Sequence, residues 1–228
     1  MTFPMQTYEV EIKALLGSSE KADEIRAALK EVDPECEITS RNSQLNHYFE
    51  GGQLHALFDN VGHYLNDDTR NKFRDLISKA TEYSVRTRDK DNIVLLVVKA
   101  STGADSSENG VSRIEIEAQV PLTLIELDEL VLQSGFHYQA KWSREREEYA
   151  CGDINVCLDK NAGYGYLAEF ERIVDDPAQL PKAQEELREF MAKIGAEELP
   201  QDRLERMFAF YNAHWPEYYG TDRIFIVE

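Results

Sequence analysis

Charged side chains recur two residues apart along this chain: Glu9, Glu11 and Lys13; Arg86 and Arg88; Arg113, Glu115 and Glu117; Arg144 and Arg146; Glu169 and Glu171. Apolar residues fill most of the intervening places, among them Val10, Ile12, Val85, Ile114, Ile116 and Phe170. Alternate residues of an extended strand share a face, so each run separates charge from hydrocarbon. The cations Lys13, Arg86, Arg88, Lys99, Arg144 and Arg146 suit a polyanion such as a chain of phosphates, because guanidinium forks phosphate oxygens and ammonium supplies a compact charge. The carboxylate pairs Glu9/Glu11, Glu115/Glu117 and Glu169/Glu171, with Asp159 ending the preceding strand, suit a hard cation with oxygen ligands, as magnesium bridging phosphates requires. On one strand alone such a face simply meets water. Repetition over five or six strands with both signs points instead to a barrel with its apolar face outward under helices and its charges inside. Buried charges are costly unless paired or met by a ligand, so a charged lumen implies a charged ligand.

The elements that must position these residues follow from periodicity. Tyr8 to Lys13 alternates as a strand. Ser18 or Ser19 can cap a helix whose apolar face is Ala22, Ile25, Ala28, Leu29 and Val32, stopped by Asp33-Pro34. A strand over Arg41 to Glu50 ends at Gly51-Gly52, and helical spacing follows in Leu54, Leu57, Phe58, Val61 and Leu65, then in Phe73, Leu76, Ile77 and Ala80. Strands are expected over Tyr83 to Asp89, Ile93 to Ala100 and Ser112 to Val120, with a tight hairpin at Asp91-Asn92 and a polar loop over Ser101 to Gly110. Thr123 and Glu126 have capping-box spacing for a helix closed by Gly135. Further strands are expected over Phe136 to Tyr149, Asp153 to Asp159 and Tyr164 to Val174, then helices beyond Pro177 and a final strand over Asp222 to Val227.

The chain has 228 residues with Lys+Arg 25 against Asp+Glu 43, a formal net charge of −18, and 42% hydrophobic residues. That is enough apolar material for a core and argues against global disorder. The acidic balance speaks against nucleic acid and anionic lipid as partners. No apolar run reaches membrane-span length, and the first residues lack a basic and apolar leader, which predicts a soluble, untargeted protein. Cys36, Cys151 and Cys157 are odd in number and lack CxxC spacing, so neither a disulfide framework nor a zinc site is expected, and the cytoplasm fits.

Glu9-Val10-Glu11-Ile12-Lys13 resembles the ExExK signature of the CYTH superfamily, the CyaB-adenylyl-cyclase and thiamine-triphosphatase group of triphosphate tunnel metalloenzymes. Later motifs keep that family's order: Tyr48-Phe49, Val85-Arg86-Thr87-Arg88, Leu95 to Lys99, Arg113-Ile114-Glu115-Ile116-Glu117, Arg144-Glu145-Arg146 with Tyr149, Val156 to Asp159, Gly163-Tyr164-Gly165 and Glu169-Phe170-Glu171. The resemblance implies an α+β fold: a closed eight-stranded antiparallel barrel, the triphosphate tunnel, with helices packed outside. It implies one domain over 1–228, with a helical insertion at about 51–81 and a helical C-terminal extension at about 177–219. On this reading Lys13, Arg86, Arg88, Lys99, Arg113, Arg144 and Arg146 grip a small-molecule triphosphate. Glu9, Glu11, Glu115, Glu117, Asp159, Glu169 and Glu171 supply ligands for magnesium or manganese, and Glu9, Glu11, Lys13 and Glu171 carry the catalysis. The implied reaction is hydrolysis of inorganic triphosphate or of a small organic triphosphate such as thiamine triphosphate. Adenylyl cyclisation of ATP and turnover-free polyphosphate binding are the alternatives.

Two departures from the family pattern stand out. The 51–81 segment is longer than the usual hairpin, and the C-terminal stretch has no clear match to the family's closing helix, whose basic residue has no assigned counterpart here, Arg203 and Arg206 being the candidates. The His-Phe dipeptide followed by proline that marks the cyclase branch is absent from the N-terminal region. No GxxxxGK[ST] motif occurs, which excludes a P-loop enzyme. His47, His55 and His63 read as core or surface residues, Lys141 as a solvated or turn lysine with a phosphate contact as the alternative, and Phe208, Phe210, Tyr211, Trp215, Tyr218 and Tyr219 either as packing of a C-terminal helix or as a stacking surface for a nucleobase or thiamine ring. The acidic exterior and extra helices leave a homodimer open.

Overall fold

The computed structural model describes residues 8–101 and 113–227; most of the polar loop expected over Ser101 to Gly110 lies outside them. The strands are β1 (Tyr8–Gly17), β2 (Glu37–Gly51), β3 (Glu82–Lys90), β4 (Ile93–Ser101), β5 (Arg113–Gln119), β6 (Phe136–Cys151), β7 (Ile154–Asn161) and β8 (Gly165–Val174). The α-helices are α1 (Ser19–Val32), α2 (Leu54–Val61), α3 (Asp67–Lys79), α4 (Leu124–Gln133), α5 (Leu180–Lys193) and α6 (Gln201–His214). Local chemistry sets their ends. The Ser18 side chain accepts from the Lys21 amide at the start of α1, and Thr123 and Glu126 form a reciprocal capping box on α4. Asp91 and Asn92 take φ of 52° and 68°, the left-handed pair that a two-residue hairpin needs between β3 and β4.

The strands form an eight-stranded antiparallel sheet in the order β1-β8-β7-β6-β2-β3-β4-β5. Hydrogen bonds do not close it into a barrel, which corrects the expected closed ladder. Closure needs the first and last strands to pair, and among the described residues β1 pairs with β8 while β5 pairs with β4. The chain also divides into two compact units. One comprises described residues 8–42 and 144–227, the other 43–101 and 113–143, so β2 and β6 each pass from one unit to the other.

Each unit buries one face of its strands under helices. In the first, Val10, Ile12 and Ala14 of β1 and Val156 and Phe170 of β7 and β8 join Ile25 and Leu29 of α1 and Leu187 and Met191 of α5. In the second, Val85, Leu96 and Val98 of β3 and β4 join Leu57 and Val61 of α2, Phe73 and Leu76 of α3, and Leu127 and Val131 of α4. The 51–81 helices therefore contribute to that unit's core. Burying each such side chain is worth about 1.5–3 kcal/mol, so the outward faces of the strands are fixed by their apolar alternation.

Two further expectations change. Asp222 to Val227 is no strand: it makes a single parallel bridge, Gly163 to Ile224, with Gly163 donating to the Arg223 carbonyl and accepting from the Phe225 amide. A Cβ on Gly163 would lie 2.7 Å from the Tyr211 ring and 2.9 Å from the Phe225 ring, so the approach of α6 and of this segment requires glycine. Cys36 and Cys151 form a disulfide although 115 residues separate them, because the residue preceding β2 and the last residue of β6 lie side by side in the first unit. Spacing along the chain carries no record of such a pairing. The bond also removes cysteine usage as an argument for the cytoplasm. No helix among the described residues is long and apolar enough to cross a membrane.

Candidate functional site

In the first unit the charges line the face opposite the α1–α5 core. Glu11 of β1 lies directly across from Glu171 of β8, and Lys13 across from Glu169. Cys157 of β7 is the next residue across from Glu169, and Asp159 stands across from Arg146 of β6. Lys13 pairs with Glu11 and also reaches Glu169 at 3.3 Å. Asp159 has no exposed side-chain surface and both its oxygens are occupied: Arg146 donates from Nε at 2.6 Å and from a terminal nitrogen at 2.5 Å, and Arg144 donates at 3.0 Å. Arg146 additionally pairs with Glu169.

This packing shifts acid strengths. Burial alone would raise the Glu169 carboxyl, but Lys13, Arg146 and Arg144 outweigh it and bring it down to about 2. Burial likewise disfavours the Arg146 cation, yet its bonds to Asp159 and the charges of Glu169 and Asp159 keep it protonated more firmly than an ordinary arginine. The Cys157 thiol is pushed up to about 12, chiefly by burial, so it is a neutral member of the cluster.

In the second unit the charges again lie opposite the helices. Val85 and Thr87 are buried on the core side of β3, which puts Arg86 and Arg88 on the other. Arg88 donates from Nε to Asn46 at 2.7 Å and from a terminal nitrogen to Glu117 at 3.0 Å. Arg86 lies 4.7 Å above the Tyr48 ring and donates to the Tyr48 hydroxyl at 3.3 Å. Its buried Nε has no hydrogen-bond partner among the described residues. Lys99 of β4 pairs with Glu115 of β5 at 2.9 Å, as their register dictates.

The structure thus gathers Glu11, Lys13, Glu169, Glu171, Arg144, Arg146 and Asp159 in one unit and Arg86, Arg88, Lys99, Glu115 and Glu117 in the other. Glu9 lies on the charged face of β1 and is exposed. Arg113 begins β5, and its side chain lies outside the described set. Arg203 and Arg206 serve elsewhere, donating to the Val227 carbonyl and to Asp202. Of the aromatic residues of α6, Tyr211 packs on Tyr164 and Phe225, and Phe210 packs on Phe225. The arginine partners Asn46 and Tyr48 carry a signal in the sequence, the polar alternation through Gln44, Asn46, Tyr48 and Glu50 on β2. Cys157 had no such signal, because a small thiol is at home on either face of a strand.

The candidate carboxylates for a divalent cation are engaged by cations: Asp159 and Glu169 by arginines, Glu115 and Glu117 by Lys99 and Arg88, and Glu11 by Lys13. Among the described residues no three His, Cys, Asp or Glu side chains converge as a ready-made cage. Glu11 and Glu171 fit, however: like charges opposed across a ladder are destabilising by themselves, and magnesium binds through one or two carboxylates completed by phosphate oxygens and water.

Solved structures share this fold. A protein of Pyrococcus horikoshii superposes with a TM-score of 0.57 over 85% of this chain and 94% of its own at 23% identity. A conserved hypothetical protein of Pyrococcus furiosus does so with a TM-score of 0.58 over 86% and 98% at 19% identity. A candidate adenylate cyclase of Vibrio parahaemolyticus does so with 0.57 over 89% and 98% at 16% identity. No curated protein matches the chain. The CYTH domain model matches residues 7–203, nearly the whole length, and with the ordered charged strands it establishes that the chain belongs to the CYTH family.

Proposed function

We propose that this protein is a metal-dependent triphosphatase acting on inorganic triphosphate or a small organic triphosphate such as thiamine triphosphate. The observation that carries the reading is the segregation of charge. In each unit helices cover one face of the strands, and the other face holds three of the six aligned cations together with carboxylates. A surface that only needed solubility would not engage arginines with a fully buried aspartate.

In this reading Arg86, Arg88 and Lys99 bind phosphate oxygens, exchanging their present partners for a more highly charged anion. Arg144 and Arg146, fixed by Asp159, supply a positive field that needs no rearrangement when charge develops. Lys13 stands between Glu11 and Glu169 and keeps an ammonium beside the carboxylates. Glu11 and Glu171, with Glu9 beside them, would hold magnesium or manganese. The bound ion supplies Lewis-acid charge to the phosphate oxygens. Water attacks the terminal phosphorus in line with the leaving diphosphate, and the carboxylates of β1 and β8 orient it.

The test is a product assay. Purified protein with magnesium or manganese is given inorganic triphosphate, ATP or thiamine triphosphate, and orthophosphate, pyrophosphate and cyclic AMP are resolved. Orthophosphate from one of them is the expected result and names the substrate class. Pyrophosphate with cyclic AMP would make the protein a cyclase, and binding without any product would make it a polyphosphate-binding module.

A further inference from the structure

Behind the arginine strand of the second unit, on its helix-covered side, sits a carboxylate that the site does not use. Asp128 of α4 is 3% exposed and accepts three short hydrogen bonds: from Thr87 Oγ1 at 2.5 Å, from His47 Nδ1 at 2.6 Å and from the Tyr138 hydroxyl at 2.7 Å. Lys141, expected in solvent, instead lies over the Tyr138 ring with its ammonium 4.0 Å from Asp128. The neighbouring buried positions of α4 are Leu124, Leu127 and Val131, so the helix could pack through hydrocarbon alone. A buried carboxylate among them needs several partners to be tolerated, and its partners come from three strands, β2, β3 and β6.

Two of those partners occupy particular places. Thr87 is the residue between Arg86 and Arg88, and His47 is the residue between Asn46 and Tyr48, which hold Arg88 and Arg86. His47 and Thr87 also face each other in the β2–β3 ladder. Since side chains alternate across a strand, whatever fixes His47 and Thr87 from the helix side fixes the four residues on the charged side. We propose that Asp128 is a positioning residue for the phosphate-binding face, holding the β2–β3 segment that presents Asn46, Tyr48, Arg86 and Arg88. The proposal rests on the triphosphatase reading and adds to it the group that sets the geometry of the grip. Burial would raise the Asp128 carboxyl, but its bonds to His47, Thr87 and Tyr138 prevail and keep it ionised, as three donors require.

The experiment compares Thr87→Val, Thr87→Ser, Tyr138→Phe and Asp128→Asn with wild type. It measures binding of inorganic triphosphate by calorimetry in the presence of magnesium, the KM and kcat for the hydrolysed substrate, and the melting temperature. Thr87→Val keeps shape and strand propensity but removes one bond to Asp128. It should weaken triphosphate binding about tenfold and raise KM in step while kcat changes little, because the grip serves ground state and transition state alike. Thr87→Ser should restore wild-type affinity, a rescue that a volume effect would not produce. Tyr138→Phe should give a smaller loss, and Asp128→Asn the largest. If the folded Thr87→Val and Tyr138→Phe proteins bind triphosphate as wild type does, or if Thr87→Ser fails to rescue, the positioning role is wrong while the triphosphatase reading stands. If wild-type protein binds no triphosphate, that reading fails first, and there is no grip to position.

Discussion

In the unit built on β1, β8 and β7, Arg144 and Arg146 end on Asp159, a carboxylate with no exposed surface, whereas in the unit built on β3, β4 and β5 Arg88 ends on Glu117 and Lys99 on Glu115, side chains 41% and 38% exposed. The same residue types therefore do different physical work. A desolvated, doubly forked pair resists separation, since taking away one member strands a buried charge at a cost of about 3–5 kcal/mol. A solvent-screened pair is worth about 1 kcal/mol or less and gives way to a stronger anion. The first unit holds its arginines as permanent fixtures, and the second keeps its cations exchangeable.

The largest effect that could break this contrast concerns neither set of arginines but the opposed carboxylates. Glu11→Gln or Glu171→Gln should lower metal-dependent turnover about a thousandfold while the melting temperature moves little. Wild-type rates in both variants would remove the first unit from the chemistry. Next comes Asp159→Asn, which should destabilise the protein in urea by about 3–5 kcal/mol because the buried charge that Arg144 and Arg146 share is removed, leaving Arg146 with Glu169. Breaking the Cys36–Cys151 bond opens a 115-residue loop and should destabilise by about 4 kcal/mol, measured by melting with and without reductant.

A smaller effect is the acid limb of stability. The folded-state Glu169 carboxyl is brought down to about 2 from an ordinary value of 4.5, so its contribution is complete above 4.5 and is lost as pH falls towards 2. The metal-free protein should melt progressively lower through that window, and Glu169→Gln should flatten the slope there. The smallest effect sharpens the comparison most. Glu117→Gln should cost less than about 1 kcal/mol of stability and tighten triphosphate binding by freeing Arg88 from its resident anion. Weaker binding in that variant would show that Glu117 is part of the site rather than a placeholder.

What could be read from the sequence was whatever one strand or helix decides by itself. Val10 and Ile12 against Glu9 and Glu11, or Val85 and Thr87 against Arg86 and Arg88, announce two faces through local alternation. Ser18, Thr123 and Asp91-Asn92 mark element ends through chemistry that reaches only three residues. The missing parts all depend on partners distant in the chain. Nothing near Asp159 in the sequence shows that Arg144 and Arg146 occupy both its oxygens. Cys36 meets Cys151 only once β2 and β6 are in place. His47 gives no sign of Asp128, 81 residues away, and Asp222 to Val227 has the alternation of a strand but makes one bridge, to Gly163, in place of a ladder. Whether a sheet closes is likewise decided by its two edges and not by any one strand.

The most direct test of the exchangeable face is side-chain NMR of the arginine Nε–H groups during titration with inorganic triphosphate and magnesium. Arg86, whose buried Nε has no partner among the described residues, and Arg88 should shift at stoichiometric ligand, while Arg146 keeps its resonance against Asp159. A titration that moved Arg146 and left Arg86 and Arg88 unchanged would contradict the account.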